Sequence, residues 1–287
     1  MITIAVCSTN EIQLEIFKQN VSRTIGCHYE IITINNSKIN KGICEVYNQL
    51  LLMAQYETVT YCHEDINFTT TDWGPPLVSL IKNNPEIGLV GVAGATYKSN
   101  YPTAWSQVLP EYFRNNILQI KHLEQEFTIT NLSEGTYSMV EVIDGCFIAA
   151  SKKIFDNYKW NQAIFHGFHL YDMDISLRVG AAYKNVVANH IKVIHKSEGN
   201  FDALWLKEAE IFCKIYRHQL PLYKRIQHQK EKRTLQYFSM LCYFNTLMKL
   251  KQPTKKIGAL IAKAFLFFPG KPQNFGMLKA FIMRRAI

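Results

Sequence analysis

The sequence predicts an α/β fold: a Rossmann-like domain on a mostly parallel central sheet, followed by a basic helical extension. Three observations carry this expectation. Apolar β-type runs alternate with helix-period segments over the first 65 residues, the 287-residue chain is long enough to bury a sizeable core, and its charge changes sign near residue 200. Hydrophobic residues at 48% and charged residues at 19% exclude a disordered or collagen-like chain.

The elements follow in order. Residues 2–7 are an apolar run that predicts a first strand. The Ser8-Thr9-Asn10 cluster offers capping oxygens for a helix over 10–20, and 29–34 is again strand-like. A second helix over 41–54 places Ile43, Tyr47, Leu50 and Leu51 on one side, and 59–62 gives a third strand. Such alternation predicts parallel strands joined by crossover helices. A fourth strand is expected at 87–93, after the Asn83-Asn84-Pro85 break. Residues 95–138 are polar, aromatic and irregular, and read as a functional excursion rather than core. Order returns at 139–143, then come Asp144-Gly145, a short helix at 152–157, a helix from Tyr171 and a strand over 186–194.

Two parts are expected, 1–200 and 201–287. The first carries 15 Lys or Arg against 19 Asp or Glu, the second 17 against 4. The net charge of +9 therefore belongs to the extension, and it points to an anionic partner. Basic residues there (Lys224-Arg225, Lys232-Arg233, Lys255-Lys256, Arg284-Arg285) interleave with aromatics (Tyr237-Phe238, Tyr243-Phe244, Phe265 to Phe268). That pattern favours an amphipathic helix at an anionic membrane surface over a nucleic-acid groove. The apolar run at 257–269 contains Lys263 and is shorter than the ~20 residues a bilayer span needs, so it lies on a membrane or packs on the domain. Seven cysteines with no Cys-x-x-Cys spacing fit a reducing cytoplasm rather than a disulfide framework. The opening MITIAVCSTNEIQ lacks the basic and apolar regions of a secretion signal.

Three constellations carry possible chemistry. His63-Glu64-Asp65 closes the third strand, and alternation puts His63 and Asp65 on one face with Glu64 on the other. Ligands in open α/β sheets bind beyond the carboxyl ends of strands, although a solvated strand end reads the same way. In Tyr171-Asp172-Met173-Asp174, Asp172 falls in a first helical turn, where a carboxylate can simply cap; Asp174 and Arg178 form either a surface ion pair or a buried brace. His195 ends an apolar strand, followed by Lys196-Ser197-Glu198-Gly199, and is either structural or a ligand. Asp144-Gly145 is a turn or part of a site.

Taken in chain order, the set resembles the GT-A glycosyltransferases of family 2, in particular their bacterial glycosyltransferase-like branch. The resemblance covers about residues 1–200. It implies a GT-A fold and transfer of a sugar from a nucleotide-diphosphate donor, UDP before GDP, to a hydroxyl of a glycan or lipid-linked acceptor, with inversion. It implies Mn²⁺ or Mg²⁺ held by Asp65 and His195, with His63 standing where the commoner motif has Asp and contacting the ribose or diphosphate. Asp172 matches the general base. Ser8, Thr9, Asn35, Asn36, Gly42 and Asn48 match nucleoside-pocket segments. Asp144 and Gly145 border the acceptor, and Asp174 and Arg178 support the site. A surface-polysaccharide role at the inner face of a membrane comes from the resemblance alone.

Two other classes share these residues. His63, Asp65 and His195 form the donor set of a 2-His-1-carboxylate Fe(II) oxygenase, whose usual scaffold is an all-β jelly roll, unlike the alternation here. A non-catalytic basic protein binding membrane or nucleic acid would need the extension alone.

Overall fold

The computed structural model describes residues 1–121, 124–126, 132–196, 199–224 and 226–285. Ser197, Glu198 and Arg225, and the side chain of Arg285, lie outside the described residues. The chain divides into two compact units, residues 1–97 with 110–199, and residues 98–109 with 200–287.

The first unit opens with β1 (Ile2–Ser8), α1 (Glu11–Thr24), β2 (Tyr29–Asn35), α2 (Ile43–Met53) and β3 (Thr58–Cys62). Asn10 caps α1, its side chain accepting from the Gln13 N–H at 3.0 Å. β3 is buried along its whole length and β1 nearly so; β1 accordingly reads as an apolar run, while β3 carries two buried threonines, Thr58 and Thr60. Next come β4 (Ile66–Phe68), α3 (Gly74–Asn83), β5 (Ile87–Gly91) and β6 (Ala93–Ala95). α3 has proline in its first turn, where the missing N–H is tolerated.

Residues 95–138 hold more order than expected, in β7 (Phe113–Asn115), β8 (Ile117–Lys121) and β9 (Glu124–Glu126). The order expected to return at 139–143 takes the form of two strands, β10 (Tyr137–Val140) and β11 (Val142–Ile143), which belong to different sheets. β12 (Phe147–Ser151), α4 (Lys152–Asn157) and α5 (Tyr171–Gly180) follow. The strand expected at 186–194 also splits, into β13 (Lys184–Ala188) and β14 (Val193–His195). The break is made by Asn residues: Asn116 donates to the carbonyls of Ala188 and Asn189, and Asn189 donates to those of Ser133 and Gly135.

The main sheet has the order β10-β13-β5-β12-β3-β1-β2. Strands β2, β1, β3, β5 and β13 run one way, and β12 and β10 run against them. Register sets Ser8 beside Asn35 and Val6 beside Cys62, so the carboxyl ends of β1, β2 and β3 share one rim. Because β12 is antiparallel, with Phe147 opposite Cys62, its beginning reaches the same rim and carries Asp144, Gly145 and Cys146 there. A second sheet, β4-β14-β8-β9, pairs His195 with Ile66 and so delivers a residue 130 positions downstream to the side of Asp65.

The second unit contains α6 (Ala203–Ile215), α7 (Gln229–Lys249), α8 (Thr254–Phe267) and α9 (Pro272–Arg285), with Pro221, Pro253 and Pro269-Gly270 at the joints. Lys98 from the 98–109 segment is buried in it. Its ammonium donates to the carbonyls of Ser99 and Tyr101 and to the Thr103 hydroxyl, beside the ring of Phe212. Burial pushes its pKa below the ordinary lysine value.

Candidate active site

The rim gathers His63, Asp65, Asp144, Gly145, Asp172 and His195. His195 Nε2 lies 3.4 Å from Asp65 Oδ1, and His63 Nδ1 lies 4.0 Å from the same oxygen. One donor atom from each of the three lies within 4.8 Å of the others. Two ligands at ~2.1 Å from one ion are at most about 4.2 Å apart, so the trio closes on a cation with a contraction of roughly half an ångström. Among the described residues this is the group of His, Cys, Asp and Glu with such spacing.

His63 Nε2 is 2.7 Å from the Tyr171 hydroxyl, which also lies 3.2 Å from the Gly145 carbonyl. When the hydroxyl donates to Gly145 it accepts from the His63 Nε2–H, the tautomer in which the Nδ1 lone pair faces Asp65 and His195. Burial holds the His63 pKa below the ordinary value, against the charge of Asp65, so the ring is a neutral ligand at neutral pH. Burial opposes charge on His195, but its hydrogen bond to Asp65 and the charges of Asp65 and Asp144 together outweigh it and raise its pKa.

Tyr171 is fixed by a cluster of rings. Its centroid is 5.9 Å from that of Tyr47 and 5.7 Å from that of Trp160. Gly145 is required where it stands, since a Cβ there would collide with the Tyr171 hydroxyl. Leu170, just before α5, adopts φ 61, a left-handed conformation costing a residue with a Cβ about 1–2 kcal/mol. Such strain beside a rim of ionisable groups is a mark of function.

Asp172 decides between a cap and a base. Its Oδ1 does accept the Met173 N–H at 2.8 Å, as a capping carboxylate would. Yet burial first, and the nearby Asp144 second, push its pKa up to about 7, whereas a plain cap at a helix N-terminus is held down. Asp144 itself accepts from the Cys146 N–H at 2.8 Å. A half-buried carboxyl poised near neutrality, beside a cluster able to hold a cation, suits proton abstraction next to a stabilised anion.

The sequence profile of the Glycosyltransferase like family matches residues 3–216, three quarters of the chain. The chain belongs to the glycosyltransferase-like family. No curated protein sequence matches it. Among solved structures, Staphylococcus aureus TarS shares 7% identity over 96% of this chain and 50% of its own, with a TM-score of 0.54. GalNAc-T7, solved with UDP, GalNAc and Mn²⁺, shares 9% identity over 70% of this chain and 44% of its own, with a TM-score of 0.51. The chain thus spans about half the length of these structures. At such identities they establish the fold, which is of the GT-A type.

The glycosyltransferase-like protein places the other expected residues differently. Ser8 is buried and donates its hydroxyl to Glu64 at 2.5 Å; Glu64 also accepts from the Thr9 and Asn10 N–H groups and the Thr9 hydroxyl. Asn36 is buried and closes the 36–41 loop through the carbonyl and N–H of Lys41. Asn35 orders its own turn, accepting from the N–H and hydroxyl of Ser37. Gly42 lets α2 begin against the His166 carbonyl, where a Cβ would clash. Asn48 bridges to Trp160 and Gln162, and with Arg178 it lines an open cleft of about 600 Å³ whose walls include none of the rim cluster. Asp174 is buried and held by Arg178 at 2.7 Å, the brace rather than the surface pair.

Two contributors escaped the sequence reading, Tyr171 as the partner of His63 and Glu64 as the clasp that ties β1 to the 63–65 turn. The period-two alternation did place Glu64 on its separate face. Glu64→Gln, which trades a carboxylate for an amide in four hydrogen bonds, should lower stability by about 1.5–3 kcal/mol. Denaturant titration checks this, and an unchanged midpoint would mean that the clasp is slack. The oxygenase reading is not carried further, because the trio sits on a GT-A sheet rather than a jelly roll. Among the described residues, no helix is long and apolar enough to cross a membrane.

Proposed function

We propose that this glycosyltransferase-like protein is an inverting, metal-dependent enzyme that moves a sugar from a nucleotide-diphosphate donor, UDP before GDP, to a hydroxyl of a glycan or lipid-linked acceptor, in bacterial surface-polysaccharide synthesis. The observation that carries the reading is the convergence of Asp65, His63 and His195 beside Asp172 and Asp144 on one rim. The UDP and Mn²⁺ of the GalNAc-T7 structure support the choice of donor and ion.

In this reading Asp172 takes the acceptor's hydroxyl proton as its oxygen attacks the anomeric carbon. The bond to the diphosphate breaks on the opposite face, and its electron pair leaves with the phosphate. Burial first, and Asp144 beside it, keep Asp172 basic enough to accept that proton near neutral pH. Asp65, His63 and His195 are the residues that would hold the ion, and two imidazoles in the set favour Mn²⁺ over Mg²⁺. When bound, the ion neutralises charge on the departing diphosphate. Thr9 and Asn35, exposed at the ends of β1 and β2 but engaged with Glu64 and with Ser37 and Glu11, are assigned to the turns that border the donor. Ser8, Asn36, Gly42 and Asn48 shape the segments around it, and Gly145 borders the acceptor. The extension, 201–287, is assigned to the anionic inner face of a membrane and not to nucleic acid.

A thermal-shift screen tests this. UDP with Mn²⁺ at a hundredfold over Kd should add about 2.7 kcal/mol, a rise in Tm of roughly 4–5 °C for a chain of this size. No shift with any nucleoside diphosphate, with or without metal, would refute the reading. Stabilisation by Fe(II) and 2-oxoglutarate alone would restore the oxygenase.

A further inference from the structure

The last two helices hold an apolar surface outward. α9 buries Asn274 and Met277, at 0% and 3% exposure, and turns Phe275, Leu278 and Ile282 to solvent at 65%, 37% and 57%. Their spacing of three and four makes one stripe. At the end of α8, Leu266 and Phe267 are 71% and 56% exposed, just before the Pro269-Gly270 turn. Exposed Lys263, Lys271 and Lys279 flank them.

This hairpin is not a frayed end. The Tyr237 hydroxyl donates to Asn274 Oδ1 at 2.8 Å, while Asn274 Nδ2 donates to the carbonyls of Ala264 at 3.2 Å and Phe268 at 2.9 Å. Arg233 adds a bond to the Phe267 carbonyl at 2.7 Å. One fully buried amide thus joins α7, α8 and α9, and the outward apolar stripe is presented on a fixed frame.

The charge around the stripe selects its occupant. After Glu231 the chain has 11 Lys or Arg and no Asp or Glu. A second copy would bring like charges face to face, whereas an anionic lipid surface offers counter-charge to the lysines and hydrocarbon to the rings. We propose that the α8–α9 hairpin is the element that docks the protein on an anionic bilayer, with Leu266, Phe267, Phe275 and Ile282 entering the interface and Lys263, Lys271 and Lys279 at headgroup level. This rests on the membrane partner proposed above, but not on the chemistry of the rim.

The test is co-sedimentation of the full chain with vesicles of phosphatidylglycerol and phosphatidylcholine, and with phosphatidylcholine alone. Wild type should bind the mixed vesicles and lose most binding at about 0.5 M salt, where screening is strong. The double variant Phe267→Ser/Phe275→Ser, altered at exposed positions, should keep its circular dichroism and bind at least tenfold more weakly. Leu52→Ser, an equally exposed leucine on α2, should bind as wild type. Full binding by the double variant overturns the hairpin assignment and leaves the membrane partner standing elsewhere. No binding by wild type refutes the membrane partner itself. A wild-type dimer in solution that the double variant dissolves, without vesicle binding, assigns the stripe to a second copy and refutes the proposal.

Discussion

Asp172→Asn should reduce kcat by about 10²–10⁴-fold while leaving a folded protein that still binds donor, because a positioned base contributes on that scale. The substitution keeps shape and the bond from the Met173 N–H, and removes only the ability to take a proton. Its stability effect has a definite sign. The folded-state pKa of Asp172 is raised to about 7, above the unfolded value near 4, so the fold favours the protonated form. Stability from this group is full below the unfolded pKa and declines as pH rises through 7. In protein stripped of metal, the Asn variant should therefore gain in Tm over wild type between pH 4 and 7 and hold that gain above. Calorimetry across pH, with single-turnover kinetics, checks both halves. A variant as active as wild type would make Asp172 a cap after all.

The second large effect belongs to Asp65. Asp65→Asn keeps volume but removes the one negative donor between two imidazoles. Mn²⁺ affinity, read directly by calorimetry, should fall at least a hundredfold. Turnover should fall by roughly 10²–10⁴-fold, the equivalent of several kcal/mol of charge stabilisation. Wild-type Mn²⁺ affinity in this variant would remove the trio from consideration as a metal centre.

The sequence reading succeeded where one-dimensional periodicity reports three-dimensional burial. The strands β1 and β3 and helices α1 and α2 were legible because β1 is a buried apolar run, β3 is rich in β-branched and aromatic residues, and Asn10 is a strong cap. Some short elements were not, although the six-residue α4 at 152–157 was. β12 is five residues of FIAAS, too brief to tell from a helical piece by pattern, and β14 has three. The candidate rim residues stood out in sequence because each lies at the start or the end of an element, and the pairing of His195 with Ile66 brings His195 beside Asp65. Long-range hydrogen bonds leave no local signature. Nothing around Ser8 or Asn36 in sequence says that Glu64 or Lys41 will claim their polar groups.

The antiparallel β12 has a consequence for how the molecule assembles. β1, β2 and β3 find one another within the first 62 residues, but among the described residues β5 pairs with β12 and β13 alone. As the chain emerges from a ribosome, β5 therefore waits with bare edges until a segment some sixty residues later arrives to seat it. The same late segment carries Asp144 and Gly145. The candidate rim closes later still, since Asp172 and His195 follow β12 in the chain, so a nascent chain cannot hold these groups in place before its fold is closed.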